Sequence, residues 1–297
     1  MSISGQIRRK KNGRDRRNIY KRAVRCDIEK AGGADKKEAF RIVINKKRKP
    51  ELYDSKFGGV PYWDKKLEYP TDSDGNKMIL LAQINLNELE SDELPQTGML
   101  RFFIANDEMY GCDFDEPDKQ NGFRVIYHET IDKNITREDV LEFGIPSNED
   151  MEEDSYGSPV DGEFAVDIKK TKISISTEDY QFSKLFSKIA KELNFSVEDE
   201  YDMYDILDED LYEELSEKNS GHWLFGYPYF TQGDPREFGE KLQYYDTLLF
   251  QMDSEWVEEA SDYEILWGDV GVANFFINKE DLKKKDFSRV MYTWDCC

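Results

Sequence analysis

The chain has 297 residues, of which 35% are charged, and its net charge is −22 at pH 7. Its length allows two domains or one larger β-rich domain, and its 18 Phe, 17 Tyr and 5 Trp exclude a disordered chain. No apolar run reaches the roughly 18 residues that a transmembrane helix needs, and no apolar segment follows the basic N-terminus as in a secretory signal, so we expect a cytoplasmic protein.

Residues 1–25 form a basic tail ahead of an acidic body. The tail contains ten lysines and arginines and one aspartate, whereas acids outnumber bases two to one in the rest of the chain. A body this acidic repels nucleic acid and anionic membranes at long range. We therefore predict that the tail is a solvated, disordered extension, and that nucleic acid or a membrane is a partner only if this tail binds it. Tyr20 is the one aromatic residue that could stack on bases there.

Strands separated by glycine- and proline-containing turns are predicted for the first part of the chain. Their cores are short runs of β-branched, aliphatic and aromatic residues. The segment Asp72–Asn76 begins like a calcium-binding loop, but Gln83 stands where such a loop has its final glutamate, so the pattern favours a hairpin turn. The predicted strands cover residues 41–44, 77–84, 98–105 and 123–128.

Helices are predicted for the middle of the chain, before a strand-and-turn pattern returns after Gly221. Thr136 is a suitable N-cap for a short helix that ends near Phe143. The clearest helical pattern covers residues 178–193, where apolar residues recur at steps of three and four and form one stripe. The other predicted elements are an acidic loop over 148–156, a brief strand over 173–175 and a second helix over 201–216.

Four sequence blocks occur twice in the same order. Because a repeated unit can bury its exposed sheet face against its own copy, we predict a mainly β (α+β) fold of two related halves with pseudo-twofold symmetry. The first copy covers about 41–130, a helical insert about 136–218, and the second copy about 221–297. The matched blocks are Phe57–Pro61 with Leu224–Pro228, Leu80–Asn85 with Leu248–Asp253, Gly98–Ile104 with Gly271–Ile277, and Arg124–Tyr127 with Arg289–Tyr292.

These blocks are similar to those of a known family. Residues 55–61 (SKFGGVP), 80–85 (LLAQIN), 94–103 (LPQTGMLRFF), 221–228 (GHWLFGYP), 248–253 (LLFQMD) and 267–277 (WGDVGVANFFI) carry the resemblance. On these motifs the chain resembles the YwqG-like family of bacterial proteins, a family described by a domain of unknown function. The resemblance implies a single domain over 26–297 with added helices, and it supplies no established activity. Some such proteins are encoded near bacterial toxin systems, which implies an immunity or accessory role.

Candidate site residues follow from symmetry and from residue chemistry. Gln83 and Gln251 lie at matching positions inside apolar strands, where a buried amide either bonds to backbone or lines a ligand cleft. His222, beside Trp223, is the best candidate for acid–base work or ligand contact, with a structural histidine as the alternative. Asp269, just before a predicted strand, either accepts turn N–H groups or belongs to a polar site.

The cysteines and histidines do not form a metal site. Cys26, Cys112, Cys296 and Cys297 make no CxxC pair and have no zinc-type spacing to either histidine, so we interpret them as reduced thiols. A strained redox pair at Cys296 and Cys297 is the alternative. Walker A, GxGxxG, GxSxG and HExxH patterns are also absent, and we expect neither a metal nor a cofactor.

These features predict a non-catalytic binding or interaction protein of the bacterial cytosol. Its ligand would bind in a cleft between the two halves, and its partner would be a protein, as for an immunity or accessory factor. The alternative is a hydrolase or transferase that uses carboxylates with His222 in that cleft.

Overall fold

One large antiparallel sheet dominates the protein. The computed structural model describes residues 36–146, 157–192, 207, 209–257 and 262–296. Ten strands follow the order β12–β11–β8–β7–β1–β6–β2–β3–β4–β5, and every neighbouring pair is antiparallel. A separate hairpin contains β9 and β10. The strands are β1 Lys37–Ile44, β2 Lys56–Gly58, β3 Ile79–Asn85, β4 Met99–Ile104, β5 Phe123–His128, β6 Glu163–Ile173, β7 His222–Phe225, β8 Thr247–Asp253, β9 Glu255–Val257, β10 Asp262–Ile265, β11 Val272–Ile277 and β12 Val290–Asp295.

Four helices of at least five residues lie in the described part of the chain, and the mainly β prediction is confirmed. At the first of them Thr136 is the N-cap, and it exchanges hydrogen bonds with Asp139 in a capping box. None of these helices is long and apolar enough to cross a membrane. The helices are α1 Arg137–Leu141, α2 Phe182–Glu192, α3 Glu209–Glu217 and α4 Lys279–Lys283.

The four strands predicted for the first part of the chain are present, but the middle of the chain differs from the prediction. The segment 163–173 forms β6, the longest strand described, whereas only 173–175 was predicted as strand. Its second half is the polar run from Asp167 to Lys172, which has no apolar alternation and is largely exposed. Eight residue pairs with β1 hold it in the sheet instead. The basic tail and the acidic loop 148–156 lie outside the described residues.

The two ends of the sheet fold over and pack against each other. The ring of Phe102 on β4 lies 4.6 Å from Phe250 on β8 and 5.1 Å from Phe275 on β11. At the outer strands, Phe123 on β5 packs 5.2 Å from Tyr292 on β12. These distances are ring-centroid separations typical of packed aromatic pairs. The centre of the space between the two parts of the sheet, where the sequence predicts a ligand cleft, is therefore filled by aromatic rings, and an open groove of about 420 Å³ remains beside β5.

The outer faces of the sheet are also covered. Met99 and Phe103 of β4 pack against a cluster that includes Tyr62 and Val140, so that all six residues of β4 are buried. On the other side, α2 and α3 bury their apolar stripes against Tyr227. The apolar stripe predicted for 178–193 is the face that packs there.

Candidate functional site

Gln83 on β3 holds an incoming chain segment against the sheet. Its Oε1 accepts a hydrogen bond from the backbone N–H of Tyr62 at 2.6 Å. Its Nε2 donates to the carbonyl oxygens of Leu52 at 2.9 Å and Asp54 at 2.8 Å. The side chain is fully buried. Its amide is thus occupied by backbone groups of two neighbouring turns.

Gln251 on β8 repeats this geometry. Its Oε1 accepts from the N–H of Tyr229 at 2.8 Å, and its Nε2 donates to Asn219 and Gly221 at 2.9 and 2.7 Å. It is fully buried like Gln83. Both glutamines bind backbone, and neither lines any of the clefts described below.

His222 contacts the carboxylate of Glu255, and the hypothesis of acid–base chemistry requires such a contact. Its Nε2 lies 2.7 Å from Oε2 of Glu255, and its Nδ1 accepts the backbone N–H of Asp253 at 3.1 Å. A ring that accepts at Nδ1 carries its proton on Nε2, which then donates to Glu255. The hydrogen bond from His222 lowers the pKa of Glu255. Because the ring is 3% exposed and both nitrogens are occupied, this geometry favours a histidine that connects β7 to the chain after β8.

Trp223 lies on the opposite face of β7 from His222. Its Nε1 donates to the carbonyl oxygen of Ser220 at 3.0 Å, and the guanidinium of Arg41 stacks 4.7 Å from the centroid of its ring. Burial lowers the pKa of Arg41. Arg41 also donates to Ser220. Trp223 therefore packs β7 against β1 and has its polar atom satisfied within the fold.

Asp269 lies in an exposed turn after β10. The turn is closed by the N–H of Gly271, which donates to the carbonyl oxygen of Trp267 at 2.7 Å, and not by the carboxylate. No contact of Asp269 with His222 is present among the described residues. The two residues that were candidates for one polar site are thus not joined by a hydrogen bond or an ion pair in the described part of the chain.

A polar cleft of about 720 Å³ opens at the start of β1, and we call it the Lys37 cleft. Its walls are the first residues of β1, the end of β7, the start of β8, the segment ahead of α2 and the start of α4. The side chains that matter below are those of Lys37, Glu38, Glu93, Tyr180 and Lys279.

Charged side chains line this cleft, and two of its three acids form ion pairs. Glu38 forms an ion pair with Lys170 at 2.7 Å, and Glu93 pairs with Lys279 at 3.2 Å. Lys37 differs from both lysines. Its Nζ lies 4.0 Å from the ring centroid of Tyr227 and has no hydrogen bond or ion pair with any residue the structure describes.

A buried ion network forms the wall beneath Tyr180. Arg236 donates from Nε to Asp234 at 2.9 Å, and its Nη2 lies 3.6 Å from Oδ2 of Asp179. Its guanidinium stacks 3.9 Å from the centroid of Phe276. Burial raises the pKa of Asp179, whereas Arg236 acts to lower it. All three side chains are almost fully buried, and the guanidinium packs 4.7 Å from the centroid of the Tyr180 ring.

A second cleft of about 390 Å³ lies on the other side of the sheet centre, beside Gly58, and we call it the Glu163 cleft. Here one carboxylate forms ion pairs with two cations. Glu163 accepts from Lys56 at 3.0 Å and from Arg137 at 2.7 Å. Burial acts to raise the pKa of Glu163, but the hydrogen bonds from Arg137 and Lys56 bring it below its usual value. The rest of the lining is mostly apolar, with Val60 as one example.

Arg101 on β4 is fully buried and has no ion pair with a carboxylate among the described residues. It donates to the carbonyl oxygen of Tyr62, and its Nη2 lies 2.7 Å from Nδ1 of His128. Its guanidinium stacks 4.6 Å from the centroid of Trp63. Burial lowers the pKa of Arg101 to about 9, and burial together with Arg101 lowers the pKa of His128 to about 4.

Sequence reasoning missed Lys37, Tyr180 and Arg101. Lys37 lies ahead of the predicted strand 41–44, among charged residues where no pattern marks a partly buried position. Tyr180 begins a helical pattern in which only the apolar stripe is visible. Arg101 had a signal, because it is the one charged residue in the apolar run Gly98–Ala105.

Fold and clefts together define a mainly β protein that consists of one folded-over antiparallel sheet with two clefts near its centre. The chain belongs to the family described as Domain of unknown function (DUF1963), whose model matches residues 55–296. The match includes both clefts' glycine turns, and it ends one residue before the C-terminal cysteine. No curated protein matches the chain.

Proposed function

We propose that the chain is a YwqG-like bacterial protein of the cytosol, and that its sheet arose by duplication of a five-stranded unit. The strand order supports this. From the centre outwards, β6, β2, β3, β4 and β5 follow one another on one side, and β1, β7, β8, β11 and β12 on the other. Under this proposal each unit contributes its first strand to the sheet of its copy, since β1 lies beside β7 and β6 beside β2.

The pairing register also supports a twofold relation. If β1 and β6 are equivalent, Val43 corresponds to Asp167, and these two residues lie opposite each other at the sheet centre. A twofold axis between them would relate the two halves. The bulges agree, because the β3–β4 ladder skips Leu81 and the β8–β11 ladder skips Leu249, which the second sequence block matches to each other.

The same register corrects one of the four matched blocks. In the β4–β5 pair Tyr127 lies opposite Leu100, and in the β11–β12 pair Trp294 lies opposite Ala273. The third block matches Leu100 to Ala273. Under the proposed duplication Tyr127 therefore corresponds to Trp294, two residues beyond its predicted match, Tyr292. Short apolar blocks slip in this way because neighbouring positions have similar composition.

The function that we propose is non-catalytic binding of a small molecule in the Lys37 cleft. One observation carries this proposal: the cleft has a ligand-sized volume of about 720 Å³ and a wall that is fixed by a buried ion network. The Glu163 cleft supports it, because it lies at the corresponding place in the other half. Gly58 and Gly59 line one cleft, and Phe225 and Gly226, their matches in the first sequence block, line the other.

Retention of a small molecule tests this proposal. The protein is purified from bacterial cells and desalted, and the molecules that it releases on denaturation are identified by mass spectrometry. Thr247→Trp fills the Lys37 cleft, and Ser187→Trp places the same side chain on the exposed face of α2. We expect a compound that is retained by wild type and Ser187→Trp and lost from Thr247→Trp, with circular dichroism spectra that match.

Two results would contradict the proposal. Equal retention by all three proteins would mean that the compound binds outside the Lys37 cleft. If none of the proteins retained a compound, the proposed binding function would be contradicted. Chemical change of the retained compound during incubation with the protein would instead make it an enzyme.

A further inference from the structure

We propose, building on the binding function above, that the Lys37 cleft takes a small anion whose carboxylate or phosphate oxygens are held by Lys37 Nζ and Tyr180 Oη. These two groups line the same cleft from different elements, β1 and the segment ahead of α2. Neither group has a hydrogen-bond partner among the described residues. Both atoms are open to the water of the cleft, so the oxygens of a bound anion can take the place of water at each of them.

The pairing of the other charges leaves a cationic position. Glu38 and Glu93 face the cleft, but each has its own lysine, Lys170 and Lys279. Asp246, the third acid of the lining, accepts hydrogen bonds from the backbone N–H of Lys279 at 3.0 Å and from its neighbouring threonine. Lys37 is left with an aromatic ring as its contact. An anion is the ligand that completes this set of charges.

Comparison with the Glu163 cleft strengthens the inference. There, Glu163 of β6 forms ion pairs with both Lys56 and Arg137 from inside the protein. The position of β1 that corresponds to Glu163 under the proposed duplication is Ala39, because both lie opposite the matched pair at the end of the neighbouring strand. Ala39 has no carboxylate, so the cation of the Lys37 cleft is left for a ligand.

A purely structural role for Lys37 is the competing explanation. Asp179 and Asp234 are two buried carboxylates beside a single guanidinium, and Lys37 is a second positive charge near them. In that case removal of the ammonium would lower stability and leave anion binding unchanged. Stability and binding must therefore be measured on the same variants.

Isothermal titration calorimetry with three small molecules tests whether the Lys37 cleft binds an anion. Inorganic phosphate, succinate and neutral succinamide are titrated into wild type, Lys37→Met and Lys283→Met at about 0.15 M salt, which screens the protein's net negative charge. Lys283 lies on the exposed face of α4, so its variant has the same change in net charge. We expect one or both anions to bind wild type and Lys283→Met alike, about tenfold more weakly to Lys37→Met, and succinamide not to bind.

The outcomes separate this inference from the binding function. The anion with the higher affinity identifies the ligand as phosphorylated or carboxylic. The inference that Lys37 binds an anion is overturned if neither anion binds wild type. It is also overturned if the anions bind both lysine variants equally. If Thr247→Trp nevertheless loses a compound that wild type retains, the proposed binding function is supported, and only the claim that the ligand is an anion is wrong. If Lys37→Met does not fold, Tyr180→Phe is measured instead, because it removes only the hydroxyl and keeps the ring that packs on Arg236. A loss of about threefold in anion affinity would support the inference, and unchanged affinity would overturn it.

Discussion

At the scale of single residues, His128 is kept neutral by its neighbour. Its pKa is lowered from 6.5 to about 4 by burial and by the charge of Arg101. Between these two pH values the unfolded chain binds a proton that the folded protein does not. The stabilising contribution of neutral His128 is therefore complete above pH 6.5 and is lost as the pH falls towards 4.

This sign gives a prediction for His128→Gln. On acidification from pH 7.5 to pH 4.5, wild type should lose more free energy of unfolding than the variant, by about 1–2 kcal/mol, since the half-exposed ring is partly screened by solvent. Urea unfolding of both proteins at the two pH values measures the difference. Equal losses in the two proteins would mean that burial and Arg101 together do not hold the histidine neutral.

Gln251 gives a second prediction at this scale. Gln251→Met keeps the size of the side chain but leaves the N–H of Tyr229 and two carbonyl oxygens without partners in a buried place. We expect a loss of about 3 kcal/mol or more in the free energy of unfolding, because each unpaired buried group costs about 1–3 kcal/mol. Gln96→Met is the control, because the Gln96 amide also donates to two carbonyl oxygens, those of Ser91 and Leu94, but at an exposed turn where water can replace it, so the change should cost less than about 1 kcal/mol. A similar cost for both would contradict the anchoring role.

At the scale of elements, the glycine before β4 lets two strands approach. Gly98 has a φ of +106°, and a Cβ there would overlap the carbonyl oxygen of His128 on β5. Gly75 also has a positive φ, +87°, but no atom lies within 4 Å of its Cβ position. Gly98→Ala should therefore cost about 2 kcal/mol more than Gly75→Ala, which has backbone strain of only about 1 kcal/mol. Thermal unfolding of both variants measures this, and equal costs would show that β5 can move away freely.

The elements also show what sequence reasoning can reach. Strands such as β4 and β5, and the capped start of α1 at Thr136, were predictable because apolar runs and capping residues are local signals. The strand β6 was not, because it is held by eight pairs with β1, a partner more than 100 residues away in the chain. The amides of Gln83 and Gln251 were found by symmetry, but the clefts were not. Their lining residues meet only through this long-range pairing.

At the scale of the whole molecule, the pairing of β1 with β7 and of β2 with β6 predicts that the parts of the chain before and after residue 150 cannot separate. A protease site inserted between residues 146 and 157 would cut the chain into one fragment with β1 to β5 and another with β6 to β12. In each fragment the second strand would lose a neighbour, since β2 pairs with β6 and β7 with β1. Unpaired edges and the exposed rings of Phe102 and Phe275 would make each fragment unstable alone.

We therefore expect the cut protein to elute from a size-exclusion column as one species of unchanged size and to unfold in a single transition. After separation in denaturant, neither fragment should regain its near-ultraviolet circular dichroism alone, and an equimolar mixture should regain it. Uncut protein carried through the same denaturation is the control for losses in refolding. Independent folding of either fragment would mean that the sheet is two domains joined at an edge, because a unit that is complete without its neighbour's first strand has no need of the β1–β7 and β2–β6 pairs.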